Sequence, residues 1–291
     1  MTDKTSGKKK VSRRRFLKWT VLGGAAAVVG GGLDAFVIEP RWIAVTHPTI
    51  AVTNLPDAWD GARVAVLADF HVGPMVDLDF VRKAVALTAA EKPDVVVLVG
   101  DFVSTRDAIT AKYAGALAKL QSCGSVFAVL GNHDYWTNAE AVRAMLDGAG
   151  ITRLDNTHAI VRRDGQSLCL AGVDDLWEGK PRLDQALAGI DETVCRILLC
   201  HNPDYAEQMP AQPRVDLMLS GHTHGGQVKI PFGPRPVLPV KHKKYGAGLV
   251  TSPRCPVYIT RGVGMLAAFG LPVRFNCRPE VAVITLKRRQ D

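Results

Sequence analysis

Val95-Val96-Val97-Leu98-Val99-Gly100-Asp101 is an apolar run closed by Gly and Asp. It is too short for an ordinary helix, and it reads as a strand buried on both faces of a parallel sheet. Four further runs have the same form. Residues 64–68 lead into Asp69-Phe70-His71, and 126–130 into Gly131-Asn132-His133-Asp134. Residues 197–200 lead into His201-Asn202, and 217–220 into Gly221-His222-Thr223-His224. In open α/β sheets, sites form at the carboxyl ends of such strands. One sheet edge therefore gathers oxygen and imidazole donors that suit two hard or borderline divalent cations. Each block alone has a plainer reading: an Asp as turn former or helix cap, a structural His, a Gly-Asn turn. Seven ligand-type residues at five strand ends favour the metal reading.

Outward from these runs, helices are predicted over 78–91, 108–121 and 139–147, giving a βαβαβα series with right-handed crossovers. Residues 42–55 alternate weakly and read as an entry strand pair. Short strands follow over 152–156, 159–163 and 167–173, with Arg163-Asp164-Gly165 as a hairpin turn. Helices at 183–188 and 205–209 flank a strand at 196–200. The strand-rich remainder covers 217–220, 227–230, 246–250, 257–260, 273–275 and 281–286, and 231–245 is a long Pro-rich, then basic, loop. The fold class is α/β: a four-layer αββα sandwich of two mixed sheets flanked by helices, with 37–291 as one catalytic domain.

The chain has 291 residues, 47% hydrophobic content and a formal charge of +8, values that allow a large globular core. The charge is concentrated. Residues 1–18 hold eight Lys or Arg against one acidic residue, a local +7 that leaves +1 for the rest. The body therefore lacks the broad basic face of nucleic-acid binders. The basic stretch Lys8 to Lys18 and the apolar residues after it have export-signal architecture. Ser12-Arg13-Arg14-Arg15-Phe16-Leu17-Lys18 resembles the bacterial twin-arginine signal at every motif position. Residues 1–36 are read as that signal or a membrane anchor, with cleavage left open. Residues 16–29 are short and Gly-rich for a spanning helix, and extension beyond them would bury Asp34. No Cys-x-x-Cys pair occurs among the six cysteines, which argues against a structural zinc knuckle. Cys255 and Cys277 remain a possible disulfide in an oxidising compartment.

The five blocks resemble, complete and in order, the signature blocks of the calcineurin-like metallophosphoesterases. Ile38-Glu39-Pro40-Arg41 and 274–280 are similar to its exported bacterial YaeI/YkuE-type group. The resemblance implies that Asp69, His71 and His224 hold one cation, Asn132, His201 and His222 the other, and that Asp101 bridges them. It implies two divalent metal ions (Mn, Fe, Zn or Co) and a metal-bridging hydroxide that attacks a phosphate mono- or diester. The family role for His133 is to stabilise the phosphoryl group or protonate the leaving oxygen. Asp134 is expected to orient that ring. The implied partners are a phosphate-ester or lipid-linked substrate, the twin-arginine translocation machinery and a membrane, with no nucleic acid. Export to the outer face of the cytoplasmic membrane follows, with lipid headgroups, lipid-linked pyrophosphates or wall phosphodiesters as substrates. A silent metal-binding scaffold and a nuclease are the alternatives. Softer expectations put Arg261 near the phosphate, Asn276 in the family-like tail, and Asp174, Asp175 and Trp177 at the site rim. Trp136, Phe232 and Met265 are expected to form an apolar lip, and Lys241-His242-Lys243-Lys244 to attract anions. No phosphate loop of the nucleotide-triphosphatase kind and no Gly-x-Ser-x-Gly elbow is present.

Overall fold

The computed structural model describes residues 12–268 and 270–289. Lys4, Lys8, Lys9 and Lys10 of the basic stretch lie outside the described residues. Helix α1 (Arg13–Leu33) starts where the Ser12 hydroxyl accepts the Arg15 N–H. It runs on through a wider turn at Asp34–Ile38 and a tighter one at Glu39–Arg41, so the helical segment spans 29 residues. At about 1.5 Å per residue that is about 43 Å, long enough for a hydrocarbon core of about 30 Å. The segment is thus longer than the apolar stretch suggested, and Asp34 lies within it. Helix α1 buries none of its own residues, while Ala35, Glu39 and Pro40 beyond it are buried against the body.

Strands β1 (Ala44–Thr46) and β2 (Thr49–Val52) follow. They do not pair with each other as expected. Both lie parallel to the last strand, because the chain turns back alongside its own C-terminal segment. The βα series is β3 (Arg63–Leu67), α2 (Leu78–Ala90), β4 (Val95–Val99), α3 (Ala111–Ala118), β5 (Ser125–Val129) and α4 (Asn132–Gly148). Helix α4 begins seven residues before its predicted start. It is two pieces joined at Asn138, whose backbone is non-helical and whose side chain caps the second piece by accepting the Ala141 N–H.

The second half holds β6 (Thr152–Arg153), β7 (Thr157–Arg163), β8 (Gln166–Gly172), α5 (Leu183–Ala186), β9 (Cys195–Leu199), α6 (Tyr205–Gln208) and β10 (Leu217–Ser220). It ends with β11 (Gly248–Thr251), β12 (Pro256–Ile259), the small pair β13 (Ala267–Ala268) and β14 (Leu271–Pro272), and β15 (Glu280–Arg288). The strands expected at 227–230 and 273–275 are reduced to a single bridge, Val228 to Phe275.

One sheet has the order β1-β15-β3-β4-β5-β6, with β2 also on β15, and the other β11-β12-β10-β9-β8-β7. Pleating explains why the runs are continuously apolar. On β3, Val64 and Val66 face the second sheet, packing with Leu170, Ile197 and Leu219. Ala65 and Leu67 face α2 and α3, among Val81, Ala84 and Leu117. Leu198 and Met218 of the second sheet face α5 and α6. The result is the four-layer αββα sandwich of two mixed sheets. Because β3, β4 and β5 are mutually parallel, as are β8, β9 and β10, their carboxyl ends meet at one edge.

Candidate metal centre

The chain leaves the strand ends in left-handed backbone. Asp69, His71, Asp101, His222 and His224 have φ of 55°, 49°, 57°, 71° and 51°. Such conformations cost of order 1–2 kcal/mol each for residues with a Cβ and persist only when the surroundings enforce them. Here they do. Asp69 N–H donates to Gly100 O (2.9 Å), His71 N–H to Asp101 O (3.0 Å) and Gly221 N–H to His201 O (3.0 Å). Gly264 N–H donates to Asp69 O, and a Cβ at Gly264 would stand 2.0 Å from the Phe70 carbonyl oxygen.

Side-chain donors then converge. Asp69, His71 and His224 form one cluster, and Asp101, His201 and His222 a second, each tight enough to hold a metal ion. His71 Nε2 lies 2.9 Å from His224 Nε2. Asp101 Oδ2 lies 3.4 Å from His71 Nε2 and 3.2 Å from His201 Nε2, so this carboxylate touches both clusters. Asn132 Oδ1 lies 3.0 Å from His222 Nδ1. The opposite ring nitrogens fix the tautomers, since a carbonyl only accepts. His201 Nδ1–H donates to Val99 O (2.7 Å) and His222 Nε2–H to Pro239 O (2.9 Å). His201 Nε2 and His222 Nδ1 are therefore left facing each other at 3.3 Å. Two lone pairs at that distance repel unless a proton or cation lies between them, so the donor set fits divalent metals.

Charge in the centre is unevenly shared. Burial, then the Asp101 charge, lifts Asp69 to about 7. Burial lowers His71 to about 3 and His222 to about 4. Burial opposes charge on His201 too, yet the Asp101 carboxylate raises it to about 10. Two anions and four packed imidazoles thus compete for protons, which bound cations would replace.

His133 is half-buried, its ring edge-on to His71 at 4.5 Å and under Trp136 at 4.7 Å. Its N–H donates to Asp101 Oδ1 (2.9 Å), and burial lowers its pKa. His133 also groups with His71 and Asp101 as a possible metal-holding set. Asp134 does not orient this ring as expected. It occupies the first turn of α4, and its carboxylate points away, accepting the N–H groups of Asp101 (2.9 Å), Phe102 (2.8 Å) and Gly131 (2.9 Å). It ties the β4 and β5 loops together. Asp134→Ala would strand these buried amides at about 1–3 kcal/mol each. The expected loss is about 3 kcal/mol or more of stability, checked by thermal and denaturant melts.

Trp177 and Trp136 stand at the rim as expected, whereas Met265 and Phe232 do not. Trp177 stands edge-on to His222 at 4.5 Å, and its ring faces Trp136 at 6.4 Å. Asp175 folds the Trp177 loop by accepting the N–H groups of Trp177 and Glu178. Met265 is buried in the core, and Phe232 and Asn276 lie by a hollow at the helix exit. Arg261 pairs with Glu280 (3.3 Å). The basic run is pinned: His242 pairs with Asp204 and Lys244 with Glu207. Cys255 packs behind the second sheet, whereas Cys277 Sγ donates to His224 O (3.4 Å). All six cysteines are unpaired, so the disulfide left open between Cys255 and Cys277 is not formed. Arg274 carries no sequence signal of its role. It is wholly buried and donates to the carbonyls of His224, Cys277 and Arg261.

Comparison with known proteins agrees with this geometry. Residues 62–226 match the calcineurin-like phosphoesterase family. The chain is 36% identical to Phosphodiesterase YaeI of Escherichia coli, covering 95% of this chain and 99% of that one. It is 33% identical to the metallophosphoesterase YkuE of Bacillus subtilis, covering 96% and 99%. It is 35% identical to the Danio rerio transmembrane protein with metallophosphoesterase domain, covering 84% of this chain and 57% of that one. Full-length similarity, the sandwich fold and the paired donor clusters agree: the chain belongs to the calcineurin-like phosphoesterase family and is a metal-dependent phosphoester hydrolase.

Proposed function

We propose that Asp69, His71 and His224 hold one divalent cation, that Asn132, His201 and His222 hold a second, and that Asp101 bridges them. The contact of Asp101 Oδ2 with His71 and His201 carries this reading. When bound, the pair supplies Lewis-acid polarisation of phosphate oxygens and acidifies a water into the nucleophile. The chain's own residues do the rest. Asp69 and Asp101 offset the cations' mutual repulsion, and Asn132 adds an oxygen donor without charge. His133, beside Asp101 and under Trp136, is placed to hold a phosphate oxygen or pass a proton to the leaving oxygen. Trp136 and Trp177 narrow the approach and limit water. Metal identity is read from the donors as any of Mn, Fe, Zn or Co.

The mature enzyme works at the outer face of the cytoplasmic membrane in this proposal. Exit by the twin-arginine route follows from Arg13-Arg14 and Phe16-Leu17. Basic residues before the helix favour a cytoplasmic N-terminus. The anchor is retained rather than cleaved, and its junction with the catalytic domain is drawn at Ala35, one residue inside the 1–36 boundary. Arg274 N–H donates to Ala35 O (2.9 Å), and Glu39 accepts the N–H groups of Asn276 and Cys277. Phosphate esters in lipid headgroups or lipid-linked pyrophosphates are then the natural substrates within reach.

Hydrolysis of mono- and bis-nitrophenyl phosphate by the full chain, across manganese, iron, zinc and cobalt, tests the activity. Turnover of the diester with at least one metal is expected. No turnover of either ester with any metal would return the protein to the scaffold reading. Arg13→Lys with Arg14→Lys is expected to leave the protein inside the cell, read by protease access to spheroplasts. Unchanged export of that variant would contradict the route.

A further inference from the structure

The helix leaves the body beside a hollow of about 710 Å³, lined by Asp34, Trp42, Lys229, Phe232, Asn276 and Arg278, among others. Phe232, in left-handed backbone at a loop tip, is 111% exposed. Trp42 is 56% exposed, and the Arg278 guanidinium sits 3.8 Å over its ring. Exposed Ile230 and Val237 flank Phe232 on its loop, and exposed Leu271 of β14 lies on the other side of the helix exit, where β14 packs on the Asp34–Ile38 turn. Large apolar side chains gathered this way mark a surface that is covered in use. Lys229 and Arg278 stand among them, and Asp34 is the acidic residue facing the hollow, since the Glu39 carboxylate is engaged by two backbone amides.

We propose that this collar docks the catalytic domain onto an anionic phospholipid bilayer, with Phe232 and Trp42 entering the interface and Lys229 and Arg278 meeting lipid phosphates. The inference rests on the anchored reading above and adds to it a second, helix-independent contact. Continuity with the anchor selects the occupant. A helix long enough to span brings the bilayer surface to Asp34–Arg41, and the collar is built around that exit. Aromatic rings with basic neighbours are the composition of a membrane interface. The contact also orients the centre. Lys229 follows His224 by five residues, and Cys277 bonds both the Glu39 carboxylate and the His224 carbonyl. Docking therefore couples the collar to the loop that carries His224.

The test uses full-length, metal-loaded protein in phosphatidylglycerol–phosphatidylcholine vesicles, with Phe232→Trp as the reporter. Phe232 touches none of the metal-cluster residues, so turnover of a soluble nitrophenyl ester should match the parent and certify the fold. Lipids brominated near the headgroup should quench the added emission, measured as variant minus parent, by roughly twofold or more. Lys229→Glu in that background should reduce the quenching. Protein that stays in the membrane after alkaline carbonate extraction, with the added tryptophan unquenched, overturns the docking surface while leaving the anchor standing. Protein released by carbonate overturns the anchored reading and this inference with it.

Discussion

Asp101→Asn is expected to yield a folded protein that retains neither cation and hydrolyses no phosphate ester. The substitution keeps the shape and one carbonyl-type oxygen, so the bond from His133 N–H to Oδ1 can survive. What disappears is the anionic oxygen Oδ2 beside His71 and His201. Without it each cluster keeps its imidazoles, but the two cations lose the carboxylate that draws them together and screens their repulsion. A rate loss of at least about 10³, near 4 kcal/mol in the barrier, is expected. Metal content by mass spectrometry, thermal melting and turnover should be read on one preparation. An Asp101→Asn protein with two cations and a normal rate would remove the shared-carboxylate geometry from the account.

His133→Ala is expected to lower turnover by about 10²–10⁴, in the usual range for a positioned acid or oxyanion partner, with both cations retained. Its ring makes no hydrogen bond to another described residue, and the N–H that binds Asp101 belongs to the backbone and remains in alanine. The loss should be larger for an alkyl ester than for a nitrophenyl ester if the ring protonates the leaving oxygen, because nitrophenolate departs unaided. The proximity of His133 to His71 and Asp101 gives the competing reading, a direct ligand. Loss of a cation from His133→Ala would decide for that reading.

Both variants act on a centre that was largely legible in the sequence. Strands buried on both faces leave continuous apolar runs, and β3, β4, β5, β9 and β10 fall within a residue of the expected bounds. Parallel pairing puts their carboxyl ends together, so Asp69, Asp101, Asn132, His201 and His222 meet as the strand-end reading requires. Helix α4 shows where local signals mislead. Asn138 is a sound cap for the second piece, and the polar turn before it, from Asn132 to Thr137, offers no apolar periodicity to betray a helix.

Asp134 was legible as an important acid but not in its task, because backbone amides carry no letter in the sequence. The carbonyls of Val99 and Pro239, which set the His201 and His222 tautomers, were hidden for the same reason. So was the left-handed backbone of five ligand-type residues, since Asp and His carry no glycine-like mark of it. The tail over 227–230 and 273–275 looks like strand from β-branched and aromatic content alone. Its residues instead wrap the helix exit and Arg274, where one bridge forms in place of a ladder.

In the proposed reading, five strand-end loops build one two-cation centre that hydrolyses phosphate esters. Manganese titration of chelator-stripped full-length protein, with bis-nitrophenyl phosphate turnover and bound metal followed together, tests it most directly. No turnover is expected without metal, and activity should saturate as the second equivalent binds and be lost again on chelation. Full turnover in metal-free protein, or none with two equivalents bound, would contradict it.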